Sequence, residues 1–151
     1  MNREQFWFLN TLVTVRLGVN DSQDGISVLE HRAPFGDSPP LHIHHTEDEI
    51  FHILEGEFLF EVSGQRQHHG PGAIVLAPKG APHSYRVESR DGGRWLTVTA
   101  HGDFEQFVRA ASRPAEKPEL PPASAPTPEA VATLAKRAGA YGIELVGLPL
   151  S

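Results

Sequence analysis

The stretch that decides the fold runs from residue 36 to residue 56 and reads GDSPPLHIHHTEDEIFHILEG. His42 and His44 are two residues apart, so on an extended strand their imidazoles point to the same face. Glu49 follows after a short polar segment, and Gly56 closes the run. Two imidazoles and one carboxylate that converge from a single hairpin are typical ligands of a divalent first-row metal.

A fourth candidate ligand lies downstream, in the segment GAIVLAPKGAPH that ends at His83. The glycines that punctuate the chain from residue 36 to residue 80 divide it into runs of strand length, as tight turns between short strands require. Together the two segments predict a mononuclear metal site that is held inside a β-barrel.

The two segments resemble the two sequence motifs of the cupin superfamily. The first motif matches without any departure in spacing, through Gly36, His42, His44, Glu49 and Gly56. The second motif matches through Gly72, Pro78, Gly80 and His83. Val87 stands where this motif usually has an asparagine. Because that asparagine is not a metal ligand, the resemblance still implies a complete ligand set of three histidines and one glutamate.

The remaining sequence up to about residue 102 is typical of short strands. Alternation is clearest at residues 57–62, where Phe58, Phe60 and Val62 share one face. Many short strands at close spacing predict an antiparallel sandwich or barrel, in which closure protects the strand edges. The predicted class is therefore all-β. The resemblance specifies a double-stranded β-helix, or jelly-roll barrel, with a short C-terminal helical extension.

Three segments are predicted along the chain. Residues 1–112 form the barrel and a short flanking helix, for which Asp103 is predicted as the N-cap. Residues 113–128 contain six prolines and predict an extended connector. Residues 129–151 predict a helix, which Pro128 begins, and a tail that packs on the barrel or on a partner subunit.

Composition is that of one soluble domain. The chain has 151 residues and a formal net charge of −6 without runs of lysine or arginine, which argues against nucleic acid as a partner. The absence of cysteine excludes disulfides, thiolate ligands and cysteine nucleophiles. The apolar run at residues 6–9 is too short for a membrane span or a signal-peptide core, so no membrane partner and a cytoplasmic location are expected.

Strand phase predicts which residues line a pocket beside the metal. Residues two and four positions after Glu49, and two and four positions after His83, share the inward face of these ligands. The predicted substrate pocket consists of Phe51, Ile53, Phe58, Phe60, Tyr85 and Val87. The alternative interpretation is that these side chains simply fill the core of the barrel. If room is left, such walls favour a planar or apolar small molecule.

Within the cupins, the chain is similar to small single-domain proteins of the quercetin 2,3-dioxygenase-like group. The likeness extends from Trp7-Phe8-Leu9 through the run of residues 39–49 to residues 103–107 and 140–144. It implies one divalent transition metal per chain, dioxygen as co-substrate, and oxidation of a flavonol-like or other enolisable small molecule. Nickel, iron, manganese, cobalt and zinc all accept these ligands, and ligand type does not choose among them.

Two further expectations accompany this hypothesis. Glu49 is expected to act as general base toward the substrate hydroxyl as well as to bind the metal. A homodimer is expected, because cupin barrels commonly pair and because the apolar arm at residues 6–9 would otherwise be exposed. The sequence leaves two alternatives open: a metal- or small-molecule-binding cupin that does no chemistry, and a non-oxidative isomerase or lyase.

Overall fold

The computed structural model describes residues 4–151, so residues 1–3 of the predicted barrel segment lie outside the described part of the chain. The first six strands are β1 (Gln5–Phe8), β2 (Thr11–Leu17), β3 (Ser27–Ala33), β4 (His42–His44), β5 (Glu49–Glu55) and β6 (Phe58–Val62). The next four strands are β7 (Gln65–His69), β8 (Ile74–Ala77), β9 (His83–Val87) and β10 (Gly93–Thr99). The C-terminal elements are α1 (Asp103–Ala111), β11 (Arg113–Pro114), α2 (Pro128–Gly139) and β12 (Ile143–Leu145).

The strands form two antiparallel sheets that enclose the core. One sheet has seven strands in the order β11-β1-β2-β3-β10-β5-β8, and the other has five in the order β12-β4-β9-β6-β7. Strands that are neighbours in a sheet are often distant in sequence, as β4 and β9 are, which is the connectivity of a jelly roll rather than of a simple meander. The predicted all-β class is confirmed.

The main core lies between the two sheets. Buried and half-buried residues alternate along β10, so one face of this strand points into the barrel and the other points outward. Trp95, on the inward face, packs edge-on against Phe58 with ring centroids 5.3 Å apart. A Cβ atom on the neighbouring Gly93 would lie 2.5 Å from the Phe58 ring, so only glycine fits this position.

A second core joins the helices to the outside of the barrel. Phe107 of α1 packs edge-on against Phe8 of β1 at a centroid distance of 5.5 Å. The indole nitrogen of Trp7 donates to the carbonyl of Glu119 at 2.9 Å, and Phe6 lies opposite Pro114 in the pairing of β1 with β11. Trp7 and Phe8 of the apolar arm are thus buried within the chain, whereas Leu9 is 47% exposed.

The two helices begin in different ways. Thr127 caps α2, because its hydroxyl accepts a hydrogen bond from the backbone N–H of Ala130 at 3.1 Å, and Pro128 follows at the first helical position as predicted. The prediction that Asp103 caps α1 is wrong. Asp103 is the first helical residue, and the buried Glu47 accepts from the backbone N–H groups of Gly102 and Phe104 at 3.2 and 2.7 Å.

The C-terminal strand completes the five-stranded sheet. β12 pairs with β4, and the chain beyond it continues along the same side, since Val146 N–H donates to the Leu41 carbonyl at 2.8 Å. Leu150 is buried, and its N–H donates to the Ser38 hydroxyl at 2.9 Å. Within residues 4–151, no helix combines the length and apolar character that crossing a membrane requires.

Candidate metal centre

Three strands bring the four predicted ligands together at one end of the barrel. His42 and His44 lie on β4, Glu49 begins β5 and His83 begins β9. His42 lies directly opposite His83 in the pairing of β4 with β9. One potential ligand atom from each of the four residues lies within 4.8 Å of all the others. Their imidazole centroids are 4.4 to 5.2 Å apart.

Backbone carbonyls orient two of the imidazoles. Nδ1 of His42 is 2.7 Å from the carbonyl oxygen of Pro40, and Nδ1 of His83 is 2.9 Å from that of Ala81. Because a carbonyl oxygen only accepts, each Nδ1 must carry the proton and donate it. In a neutral ring of this tautomer, Nε2 presents a bare lone pair, which is the arrangement that metal-binding histidines require.

The contacts of Glu49 are of a kind that a bound cation would stabilise. Its Oε2 lies 3.0 Å from His44 Nε2 and 2.9 Å from His83 Nε2. Among residues 4–151, neither buried ring nitrogen of His44 has an aligned hydrogen-bond partner. A carboxylate oxygen and a bare imidazole nitrogen repel each other unless a proton or a metal ion lies between them.

The spacing of these atoms agrees with a metal ion of ordinary size. Two ligand atoms about 2.1 Å from one ion, and at right angles to each other, are about 3.0 Å apart. Three imidazole nitrogens and one carboxylate oxygen are donors that zinc, nickel, iron, cobalt and manganese all accept. The four residues therefore fit a divalent first-row metal in both chemistry and spacing.

Electrostatics set the protonation of the cluster. Burial, reinforced by His83 and His44, lowers the pKa of His42 to about 3, so this ring is neutral at pH 7. Burial by itself would raise the pKa of Glu49, but His44 and His83 outweigh it and hold the pKa well below its usual value. Burial would lower the pKa of His44, and the Glu49 carboxylate reverses this and raises it. A metal ion bound at this position would take the place of the proton on His44.

The four candidate ligands are largely removed from solvent. His44, Glu49 and His83 are at most 2% exposed, whereas His42 is half-buried. His45, the residue that follows β4, is exposed and contacts Glu144 at 2.9 Å.

The residues predicted to line the pocket lie beside the cluster, packed together in one core. Tyr85 is half-buried and packs against this group, while the other five are at most 3% exposed and belong to it. Phe51 links the group to the candidate ligands, since its ring is 6.1 Å from that of His83 and edge-on to it.

Two acidic residues on either side of β4 make long-range contacts that sequence reasoning missed. Glu47, two residues before Glu49, caps α1, and its partners lie 55 and 57 residues further along the chain. Asp37 follows the glycine that opens the first motif, and its backbone pairs with Val87 of β9. No local pattern marks either residue, because both partners are distant in sequence.

Comparison with known proteins identifies the class. Residues 28–99 match a family model described as cupin domain, and this range contains all four candidate ligands. The chain belongs to the cupin superfamily, and the predicted jelly-roll fold is confirmed. The crystal structure of a predicted oxalate decarboxylase from Thermotoga maritima has the same fold, with a TM-score of 0.59 and 22% identity over 66% of this chain and 92% of that one.

Two groups of curated relatives are dioxygenases. A quercetin 2,3-dioxygenase of Bacillus subtilis is 27% identical over 119 residues, which are 79% of this chain and 35% of that protein. An acireductone dioxygenase of Rhodopseudomonas palustris is 45% identical over 47 residues, which are 28% of each chain. The chain thus spans about a third of the length of the curated relatives it matches, or less.

Proposed function

We propose that this cupin is a metal-dependent dioxygenase that acts on a flavonol-like or other enolisable small molecule. The observation that carries the proposal is the buried cluster of His42, His44, Glu49 and His83, which converges on one point with lone pairs directed inward. The likeness to two kinds of dioxygenase supports dioxygen as the co-substrate. The substrate is placed among enolisable molecules because a deprotonated enol is an electron-rich oxygen ligand.

In this proposal, His42, His44, Glu49 and His83 hold one divalent transition metal per chain: nickel, iron, manganese, cobalt or zinc. When bound, such an ion supplies Lewis acidity that lowers the pKa of a coordinated substrate hydroxyl. The carbonyls of Pro40 and Ala81 keep the His42 and His83 rings turned with Nε2 toward the centre. These two hydrogen bonds hold the imidazoles in the orientation needed for metal binding before a metal ion arrives.

In this proposal, Glu49 accepts the proton of the substrate hydroxyl. Its carboxylate is ionised at neutral pH, because its histidine neighbours hold its pKa low, and it lies inside the cluster where the hydroxyl would bind. Phe51 and Phe60, whose ring centroids are 5.1 Å apart, form an apolar wall that limits water near the bound enolate. Glu49 thus serves as ligand and as general base.

Oxygen uptake tests the proposal most directly. Metal-free protein is reconstituted separately with each of the five metals and offered flavonols and enolisable diketones in an oxygen-electrode cell. We expect oxygen consumption that matches substrate loss with at least one metal. The variant H42A should abolish uptake, and its matched control H45A should retain it, because His45 contacts Glu144 and not the cluster.

Other outcomes would identify the alternatives. Substrate turnover that continues without oxygen would indicate a non-oxidative isomerase or lyase. Tight ligand binding with no turnover under either condition would indicate a binding module. Either result would contradict the dioxygenase proposal, because that mechanism requires oxygen and substrate to disappear together.

We also propose a homodimer, with an interface other than the predicted arm. Trp7 and Phe8 of the arm are buried within the chain, but Ile50, Ile74 and Leu76 are 37%, 67% and 51% exposed. Ile50 lies opposite Leu76 where β5 pairs with the edge strand β8, so the three form one apolar patch on the outer face. A two-fold axis beside this patch would bring the same apolar side chains of two copies together and remove them from water. The cytoplasmic location stays a prediction.

A further inference from the structure

His44 is the candidate ligand histidine that lacks an orienting hydrogen bond. The Nδ1 atoms of His42 and His83 each donate to a backbone carbonyl, at 2.7 and 2.9 Å. The Nδ1 atom of His44 is buried, and it has no hydrogen-bond partner among residues 4–151. Metal-binding histidines usually donate this second nitrogen to an acceptor, which fixes the direction of the ring. Packing against neighbouring side chains must therefore orient the imidazole of His44.

Phe104, near the start of α1, supplies such packing. Its ring centroid is 5.4 Å from that of His44 and 6.1 Å from that of His31, to which it lies nearly parallel at 25°. His31 in turn stacks on Trp95 at 4.9 Å, with an angle of 7° between the ring planes. Phe104 thus joins the imidazole of His44 to a pair of buried rings on β3 and β10.

Glu47 fixes the position of Phe104. Its carboxylate accepts from the backbone N–H groups of Phe104 and Gly102, and Glu47 is only 1% exposed. The N–H groups at the start of a helix have no partner within the helix, so this carboxylate satisfies them and holds the place where α1 begins. Glu47 lies three residues after His44 in the chain. The same short segment therefore carries the ligand and holds the helix whose side chain packs on that ligand.

Other contacts of the same segment and the same helix do not involve the candidate ligands. The hydroxyl of Thr46 donates to the carboxylate of Asp103 at 2.6 Å, and this contact is exposed. Phe107, on the same helix, packs against Phe8 and Tyr141 in the second core. Thr46 and Phe107 are therefore matched controls for Glu47 and Phe104.

We propose that Glu47 and Phe104 are positioning residues of the metal centre. The Glu47 carboxylate holds the first turn of α1 in place, and the Phe104 ring keeps the His44 imidazole turned with Nε2 toward Glu49, 3.0 Å away. Loss of the ring leaves space in which the imidazole can rotate, and loss of the carboxylate frees the helix start that carries the ring. The inference rests on the part of the proposed function that makes His44 a metal ligand.

The zinc affinity of the full chain tests this inference. Metal-free F104L, E47A and E47Q are titrated with zinc in competition with a chromogenic chelator. F104L and E47A should each bind zinc about tenfold to a hundredfold more weakly than the wild type, as is typical when a group that orients a ligand is removed. E47Q should lie between E47A and the wild type, because its amide oxygen still accepts a hydrogen bond.

Two control variants separate positioning from general stability. F107L removes a buried ring from the same helix, and T46A removes the exposed hydrogen bond between the same two segments. Both should bind zinc within about threefold of the wild type, because neither side chain orients a ligand. Urea unfolding of the metal-free proteins should show that F107L and F104L lose stability to a similar extent, since each variant loses a buried ring.

Cobalt provides a readout that a loss of stability alone does not change. The visible absorption bands of bound Co²⁺ depend on the geometry of its ligands. F104L and E47A, loaded with excess Co²⁺, should show bands that are shifted from those of the wild type, because His44 is no longer held in one orientation. F107L and T46A should give the wild-type spectrum.

The outcomes distinguish this inference from the proposed function. Wild-type zinc affinity and cobalt spectrum in both F104L and E47A would overturn it, as would equal losses of zinc affinity in F104L and F107L. If E47A does not fold, the comparison of F104L with F107L decides. Wild-type protein that binds no zinc would overturn the metal centre together with this inference. Losses confined to F104L and E47A support it even if no oxygen is consumed, in which case only the dioxygenase proposal fails.

Discussion

Ile143 lies directly opposite His44, so the C-terminal strand is the paired neighbour of the strand that carries two of the four proposed metal ligands. On its other side, β4 pairs with β9 only where His42 meets His83. The short strand is therefore held largely by residues from the far end of the chain. The tail therefore supports the candidate metal centre by pairing with β4, although it lies about a hundred residues away in sequence.

Removal of residues 140–151 should weaken metal binding by about tenfold to a hundredfold, because β4 loses its neighbour and His42 and His44 lose their fixed orientation. Zinc affinity is measured by competition with a chromogenic chelator, and circular dichroism monitors the remaining β-structure. E144Q serves as the control. Glu144 lies on the removed strand β12, and this substitution alters only its exposed ion pair with His45. Wild-type affinity in the truncated protein would show that the barrel alone orients β4.

Loss of a single ligand should remove the metal. H42A and H83A should each retain less than about a tenth of the metal that the wild type holds after dialysis, because both donor geometry and charge balance are damaged. Metal per chain is measured by plasma mass spectrometry, with an expected wild-type value of one. H45A should match the wild type. Full metal content in H42A and H83A would contradict the assigned ligand set.

Glu49 should show its two roles separately. E49Q keeps an oxygen donor but removes basicity, so metal should be largely retained while turnover falls by about a hundredfold or more. E49A should lose metal and activity together, because the carboxylate also contacts His44 and His83. Metal content and oxygen uptake are measured on the same samples. Full activity in E49Q would mean that the base lies elsewhere.

Asp37 should make the metal-free protein less stable at alkaline pH. Its pKa is raised from 3.8 to about 6 in the folded state, so the folded protein favours the protonated form. The stability that this form provides is complete below pH 3.8 and is lost as pH rises through 6. D37N should therefore exceed the wild type by about 2 kcal/mol at pH 8, a figure that allows for partial solvent screening, and should equal it at pH 4.

Urea unfolding of the metal-free wild type and D37N at the two pH values measures this difference. The chelator-treated proteins are used so that metal release at low pH does not contribute. An unchanged difference between pH 4 and pH 8 would show that the Asp37 carboxyl titrates normally.

The apolar patch on β5 and β8 should hold the dimer together. L76K places a charge in the patch and should convert the dimer to a monomer at micromolar concentration, as measured by multi-angle light scattering. L148K changes an even more exposed leucine, 85% exposed on the C-terminal tail, and should leave the dimer intact. A wild-type monomer under the same conditions would contradict the proposed assembly.

Local patterns were sufficient for the class of fold and for the candidate ligands. The two-residue spacing of His42 and His44 places both rings on one face, and alternation in β6 marks a strand, because both depend only on neighbouring residues. The same is true of the start of α2, where Thr127 and Pro128 act within a single turn. These features follow from backbone geometry, which a short segment determines by itself.

Other features were decided by the tertiary structure. Glu47 caps a helix 55 residues away, β12 pairs with β4 from 99 residues away, and the carbonyl of Asp37 accepts from the backbone N–H of Val87, 50 residues further along the chain. Each depends on which segments meet when the two sheets close, and the sheet order is set by burial of the whole apolar face rather than by any one segment. A pairing of this kind leaves no local period in the sequence, since its free energy is gained only when both partners are already in place.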